Sequence, residues 1–387
     1  MSIPSSASVV IVGGGVSGCA IAWTLAQKGV KDIVVLEKDT LAHGSTGRCG
    51  AGVRMQWGAE RNCQLAQFSI DFFERANDIL GYERDIEFEQ TGYLIVAANE
   101  KEAAQFKKNV ALQNSLGIPS VYLTPEEAKD IVPHIDTSQF VAATFCPKDG
   151  HLNPFHTTEA YALAAERLGV TILKHTKVVG IEVENGKIEA VNTTQGRIAT
   201  PIVVNAAGGW SKEIGTMAGI DIPIYVQRHQ ILVTEPLEPV LTPMVMGFSY
   251  NIYIQQVPHG SIMMGRSDDT EPFDLRVTSG WKFLEEMTRT CGTLLPYLRS
   301  AKIVRQWAGH YCMTEDAQPI YGPVPGVQGF YLALGFSGHG FMLAPATGQM
   351  ISEMILGEPL TIDVSDLDIG RFERRELFFE YSVEIGR

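Results

Sequence analysis

Val9-Val10-Ile11-Val12-Gly13-Gly14-Gly15-Val16-Ser17-Gly18, a helical stretch from Cys19 to Lys28, a stop at Gly29 and the run Ile33-Val34-Val35-Leu36-Glu37 decide the fold. The order is a β-branched run, a glycine turn, a helix and a second apolar run. That context gives a G-x-G-x-x-G match its meaning. Gly13 allows the tight turn, Gly15 lets a pyrophosphate approach the backbone, and Gly18 lets the helix pack closely on the strand. The helix start at Val16 and Ser17 offers free N–H groups and the positive end of a dipole to phosphates. Glu37, nineteen residues after Gly18, is placed for ribose hydroxyls. The stretch reads as a dinucleotide-binding unit, with NAD and FAD both open. A glycine-rich structural turn in another α/β unit is the alternative.

Working outward, Leu41 to Val53 (LAHGSTGRCGAGV) is too glycine-rich for a regular element and follows directly on the ribose acid. It reads as a cofactor loop. Ser45, Thr46 and Arg48 are candidate phosphate contacts, and Gly50 and Gly52 would let a flat ring lie against backbone. A surface loop is the competing reading.

The chain of 387 residues suggests two or three domains at roughly 150 residues each. A net charge of −13 argues against a nucleic-acid surface and against a polybasic membrane anchor. No basic, apolar leader precedes the first strand and no run of about eighteen apolar residues occurs, so neither a signal peptide nor a membrane span is expected, and a cytoplasmic location is. The cysteines Cys19, Cys49, Cys63, Cys146, Cys291 and Cys312 are scattered without C-x-x-C spacing. No metal site is expected, and reduced buried thiols are.

Periodicity predicts helices over Glu60 to Leu80, Glu100 to Ser115, from Thr124-Pro125 onward, Pro154 to Leu168, Gly280 to Leu298 and Ala344 to Leu356. Strands are predicted at Gln90 to Val96, Val170 to Leu173, Val178 to Val183, Lys187 to Thr193, Arg197 to Ile202 and Gly329 to Leu334, with turns at Asp149-Gly150 and Asn185-Gly186. Ile202 to Asn205 runs into Ala206-Ala207-Gly208-Gly209-Trp210, a strand passing under a ligand. Tyr225 to Gly265 is rich in strand residues and implies a second sheet. The expected class is α/β with an α+β second domain. The nucleotide-binding domain is discontinuous (1–83, 150–222 and 319–387), and 84–149 with 223–318 form a sheet-rich substrate domain.

Three stretches, VVIVGGGVSGCAIAWTLAQKG with VVLEK, IVVNAAGGW, and YLALGFSGHGFMLAPATGQMI, resemble the FAD-dependent amine oxidoreductases related to D-amino acid oxidase, sarcosine oxidase and glycine oxidase. The resemblance runs from about residue 7 to 375. GSTGRCGAGVRMQW, QTGYLIVA, TPEEAKDIVP, RHQILVTEP and RQWAGHYCMTEDAQPIYG are closer still to the β subunits of multi-subunit amino-acid dehydrogenases and oxidases, of the L-proline dehydrogenase and sarcosine oxidase kind.

The resemblance implies a glutathione-reductase-type flavin domain and a β-sheet substrate domain. FAD would lie along Gly13, Gly15, Gly18, Glu37 and Lys38, with Ser45, Thr46 and Arg48 on the loop. Val178 or its neighbour would meet the adenine. Ala207 and Gly208 would line the middle of the cofactor. Gly338, His339, Gly340, Phe341 and Met342 would close around the flavin, although His339 also fits a structural histidine. The implied activity is oxidation of a small or secondary amino acid, of the proline, hydroxyproline or sarcosine type, to an imine by hydride transfer to flavin N5. The acceptor would be further dehydrogenase subunits or a separate electron carrier. A free-standing oxidase using oxygen, and a subunit serving mainly assembly and electron relay, are the alternatives.

The chain departs from the better-known oxidases at four positions. Gly309 stands where monomeric sarcosine oxidases carry a flavin-linking cysteine, so FAD is expected to be non-covalent. Ile262-Met263-Met264-Gly265 lacks their oxygen-activating lysine. Tyr311 occupies the slot of a carboxylate-binding arginine in glycine oxidases, and Met342 that of a lysine in sarcosine oxidase. Arg54 aligns with a carboxylate-binding arginine and is the first candidate for that role, against a buried ion pair. Tyr253, Tyr311 and His339 are the other candidates at the reacting centre, with His229 and Gln230 weaker. Met244, Met246, Met263 and Met264 read as core, or as part of an apolar pocket.

Overall fold

The computed structural model describes residues 3–267 and 273–380. The opening stretch forms strand β1 (Val9–Val12), helix α1 (Val16–Gln27) and strand β2 (Ile33–Leu36). All four residues of each strand are buried, as expected for a parallel sheet covered on both faces. β1 is central in a six-stranded sheet whose order is 320–323, 330–334, 203–205, β1, β2, 171–173. Every pairing in it is parallel except that of 320–323 with 330–334. Its strands therefore come from the beginning, the middle and the end of the chain. α1 packs between the helices Pro154–Arg167 and Ala344–Leu356, and the three share one apolar core with β1 and β2.

A short strand β3 (Gly52–Val53) pairs with 150–151, and β4 (Tyr93–Ala97) belongs to a second sheet. That sheet has eight strands in the order 303–313, 225–236, 261–267, 252–256, 244–247, β4, 142–146, 121–123. Helix Trp281–Leu294 covers one face and closes a separate core around Leu232, Ile254 and Met287. A three-stranded antiparallel meander, 178–199, lies beside the six-stranded sheet.

Some boundaries differ from expectation for local reasons. The helix from Glu60 ends at Phe73 and restarts as Ala76–Leu80, with Arg75 at φ −124° and ψ 9° between them. The helix from Gly280 stops at Leu294, and Pro296–Ser300 continues as a 3₁₀ turn, because proline cannot extend an α-helix. Asp149-Gly150 is not the turn, which falls at 147–148. Gly150 is strand, and Asp149 is wholly buried. All six cysteines are free, five buried and Cys49 half-buried. No helix among the described residues is long and apolar enough to cross a membrane.

Candidate active site

The glycine turn is built by contact. A Cβ at Gly13 would lie 2.4 Å from the carbonyl oxygen of Ala206, and one at Gly18 would lie 2.0 Å from that of Gly13. Gly18 thus seals helix to strand and does not line the groove itself. Gly15 faces open space apart from Thr46 Oγ1, and as N-cap it has no side chain of its own to cap α1. The Glu37 carboxylate accepts from Gly14 N at 2.8 Å and from Asp39 N at 2.7 Å, which fixes it at the end of β2. The resulting groove is lined by Gly13, Gly15, Val16, Ser17, Glu37, Lys38, Ser45, Thr46, Arg48, Val178, Ala207 and Gly208, and further along by Gly338, Gly340 and Phe341. Lys38 Nζ sits 3.5 Å over the Trp210 ring. Ser45 already donates to His310 O at 2.7 Å, and Thr46 Oγ1 accepts from Val16 N at 3.2 Å. These two hydroxyls brace the loop, Thr46 taking the first N–H of α1, while Gly15 and Ser17 still line the groove at the helix start.

Gly50, Gly52, His339 and Met342 line a second cavity of about 630 Å³ instead of this groove. Its walls include Arg54, Tyr93, Met244, Met246, Phe248 and Met313. Met263 and Met264 are not among them. Arg54 is 3% exposed, yet its Nε and Nη2 have no hydrogen-bond partner. Its guanidinium carbon lies 4.0 Å from the Trp57 ring centroid and 5.8 Å from that of Phe248. A buried cation held on aromatic faces with free donors is a receptor for an anion. Burial without a partner lowers its proton affinity, but a guanidinium stays charged at any working pH.

The two cavities share a wall made by Cys49, His229, Tyr253, Tyr311, Ser337, Gly338 and Phe341. Tyr311 stacks on His229 at 3.4 Å between centroids. It leaves no room for a side chain at Gly338, where a Cβ would lie 2.3 Å from the ring; Gly338 has φ +94°. Tyr253 lies against Gly265, where a Cβ would come within 2.2 Å of its ring, and near Gly50 at 3.0 Å. His339 meets Trp57 edge-on at 4.5 Å. Burial holds His229 down to about 3 and His339 well below the usual histidine range, so both are neutral. Burial pushes the Tyr311 phenol and the Cys49 thiol up to about 12, so both stay protonated. Gln230 faces away from the site, accepting from Gly280 N at 3.0 Å.

Residues 8–354 match the FAD dependent oxidoreductase family. The chain belongs to this family. It is 30% identical to sarcosine oxidase subunit beta of Arthrobacter sp, with 98% of this chain and 94% of that one covered. It is 28% identical to mitochondrial sarcosine dehydrogenase of Mus musculus over 96% of this chain but only 42% of the relative, so it spans less than half the length of that protein. L-proline dehydrogenase from P. horikoshii superposes with a TM-score of 0.92 at 38% identity, over 97% of this chain and all of that one. This FAD-dependent oxidoreductase carries the Rossmann-like cofactor fold and the sheet-rich second unit that its sequence implied. Its groove fits FAD, with the glycine cradle at α1, the Glu37 acid and the long path to Gly338, Gly340 and Phe341.

Three groups at the site escaped the sequence. Trp57 supplies the face on which Arg54 rests. Tyr93 lines the cavity beside Arg54. Asp149 accepts from Met55 N at 2.7 Å and Gln56 Nε2 at 2.9 Å, directly after Arg54. The QTGYLIVA stretch and the Asp-Gly pair held the signals for the last two, but only folding brings them to residue 54.

Proposed function

We propose that this protein oxidises a small or secondary amino acid, of the proline, hydroxyproline or sarcosine type, to the imine. The carrying observation is Arg54, a buried cation with free donors in a cavity that shares a wall with the cofactor groove. Arg54 anchors the carboxylate. Trp57 and Phe248 hold its plane, and the methionines give the substrate carbon skeleton an apolar wall. Bound FAD supplies the hydride acceptor at N5. No carboxylate is among the described residues lining the cavity, which favours the amine entering neutral. Tyr253 and Tyr311 separate substrate space from cofactor space and set the approach of the two. His339 orients Trp57 and lines the cavity without exchanging a proton.

FAD is held non-covalently in this reading. Gly309, in the position of a linking cysteine, backs onto Arg48 with only 2.9 Å between its projected Cβ and the arginine Cβ. The same reading divides the chain into a cofactor unit (1–83, 150–222 and 319–387) and a substrate unit (84–149 and 223–318), and it is supported by the two large sheets drawing their strands from these respective segments. The near full-length match to sarcosine oxidase subunit beta supports a place beside partner subunits that take the electrons.

Anaerobic addition of proline, hydroxyproline or sarcosine to the yellow protein tests the proposal. Bleaching by one of them is expected. A flavin that stays oxidised with every amino acid and N-alkyl amino acid refutes it. Denaturation should release the FAD into the supernatant. Isolation from the native host distinguishes the subunit reading, since a solitary chain that consumes oxygen excludes it.

A further inference from the structure

Asp149 is 0% exposed and lies where the chain crosses from the second sheet to β3. Its Oδ1 takes the Met55 N–H and its Oδ2 takes Gln56 Nε2, and the same amide nitrogen donates to Tyr93 O at 3.0 Å. One carboxylate thus ties the segment carrying Arg54 to β4. Asp149 and Arg54 attract each other through the protein, but no ion pair joins them among the described residues. The guanidinium keeps Nε and Nη2 free for a ligand.

We infer that Asp149 is a positioning residue for Arg54 that takes up a proton from solvent when a carboxylate binds at Arg54. The inference rests on the reading that Arg54 receives the substrate carboxylate. Asp149, Glu380 and the substrate carboxylate would then act on one buried cation, and like charges sharing such a site cannot all stay ionised cheaply. The incoming carboxylate is bonded to Arg54 directly and Glu380 is held by Gly58 N and Asn62 Nδ2 at 2.6 Å each, whereas Asp149 faces an amide that can turn, so Asp149 is the one to be protonated. The other titratable groups facing Asp149 do not compete. Tyr93, Cys146 and Cys63 are all pushed up by burial, the two thiols to about 12, and remain neutral. Burial has already raised Asp149 to about 7, against the pull of Gln56, the Met55 N–H, Arg54 and the Cys146 thiol.

Gln56 is built for the change. Its Oε1 is buried with no hydrogen-bond partner. A proton on Asp149 Oδ2 turns the Gln56 Nε2 contact repulsive. Half a turn of the amide then offers Oε1 as acceptor for the new O–H, giving up the bond to Tyr93 O.

The sign follows from linkage. Below about pH 7 Asp149 is protonated before binding and affinity is flat. Above it each binding event takes up a proton, so affinity falls by up to about tenfold per pH unit until the raised value of the bound state is passed. The probe is cyclopentanecarboxylate, which has the carboxylate but no amine to oxidise, with cyclopentanecarboxamide as the uncharged control. Binding to the FAD-loaded protein is followed by flavin absorbance from pH 6 to 9. Calorimetry in buffers of different ionisation heat counts protons. We expect uptake approaching one proton near pH 8 in the unmodified protein, and neither slope nor uptake in Asp149→Asn. No uptake in the unmodified protein overturns the inference even if the variant does not fold, and so does a slope that persists in Asp149→Asn. If an amino acid bleaches the flavin while carboxylate affinity ignores pH, this inference fails and the proposed function stands. If no carboxylate binds and no amine bleaches, both fail.

Discussion

Arg54 and Trp57 lie face to face, the guanidinium carbon 4.0 Å from the ring centroid, and the Trp57 indole Nε1 donates back to Arg54 O at 3.1 Å. The two residues lock each other. The backbone bond fixes the ring, and the ring fixes the cation with its free donors turned to the cavity.

Arg54→Ala should raise KM for amino-acid substrates on the order of a hundredfold, since charge-assisted bonds contribute about 1.5–3 kcal/mol each. The protein should stay yellow. Arg54→Lys should recover only part, because an ammonium cannot present the planar fork. Steady-state kinetics beside the visible spectrum check both, and unchanged kinetics would remove Arg54 from the site.

Glu37→Ala strips the acceptor from Gly14 N and Asp39 N together. FAD affinity should fall by roughly tenfold or more, at about 1–3 kcal/mol for buried donors left unmade. Flavin retained after dialysis measures it; equal retention would argue against a role for Glu37 in the groove.

Gly265→Ala is aimed at Tyr253. The new methyl would come within 2.2 Å of the phenol carbon and must push the ring out of the shared wall. A folded, FAD-loaded protein with kcat lowered at least tenfold is expected, from loss of approach geometry. Wild-type kcat would show that the position of Tyr253 is immaterial.

Arg371 and Asp316 form an ion pair at 2.9 Å with neither side chain exposed. Arg371→Ala leaves a buried acid alone and should cost about 3–5 kcal/mol. A fall in denaturation midpoint, read with FAD in excess, checks this. Replacing both partners by apolar residues should cost less than either single change.

Acid should destabilise the fold. His229 and His151 are held by burial at about 3 and about 4, and His339 is lowered as well. Below about pH 6.5 the unfolded chain takes up these protons and the folded one does not, so stability falls with pH there. Asp149, raised to about 7, opposes this as a single group against three. A denaturation midpoint lower at pH 5 than at pH 7 is expected.

The cofactor half was legible because its signals are local. Gly13 to Glu37 lie within one strand–helix–strand unit, and the helix Pro154–Arg167 shows itself through Pro154 in its first turn, where Asn153 accepts from Phe155 N and His156 N. In the substrate half the sequence named Arg54, Tyr253, Tyr311 and His339, all of which line the second cavity, but not the residues that brace them. Tyr93 reads as an ordinary strand residue and Asp149-Gly150 as a turn, because their meaning comes from contacts with residue 56, far off in the chain. Gly50 and Gly52 were read as cofactor glycines. They instead line the second cavity, where Tyr253 and the Tyr93 hydroxyl press against them.

The six-stranded sheet places 203–205 against β1 and 330–334 beyond it. During synthesis the strand that carries the glycine turn emerges first and waits for neighbours made some two hundred and three hundred residues later. Domains fold as units as the chain leaves the ribosome, and such distant pairings come late. FAD capture is therefore among the last events in the birth of this protein, and a ribosome stalled before residue 330 holds a chain that cannot keep its flavin.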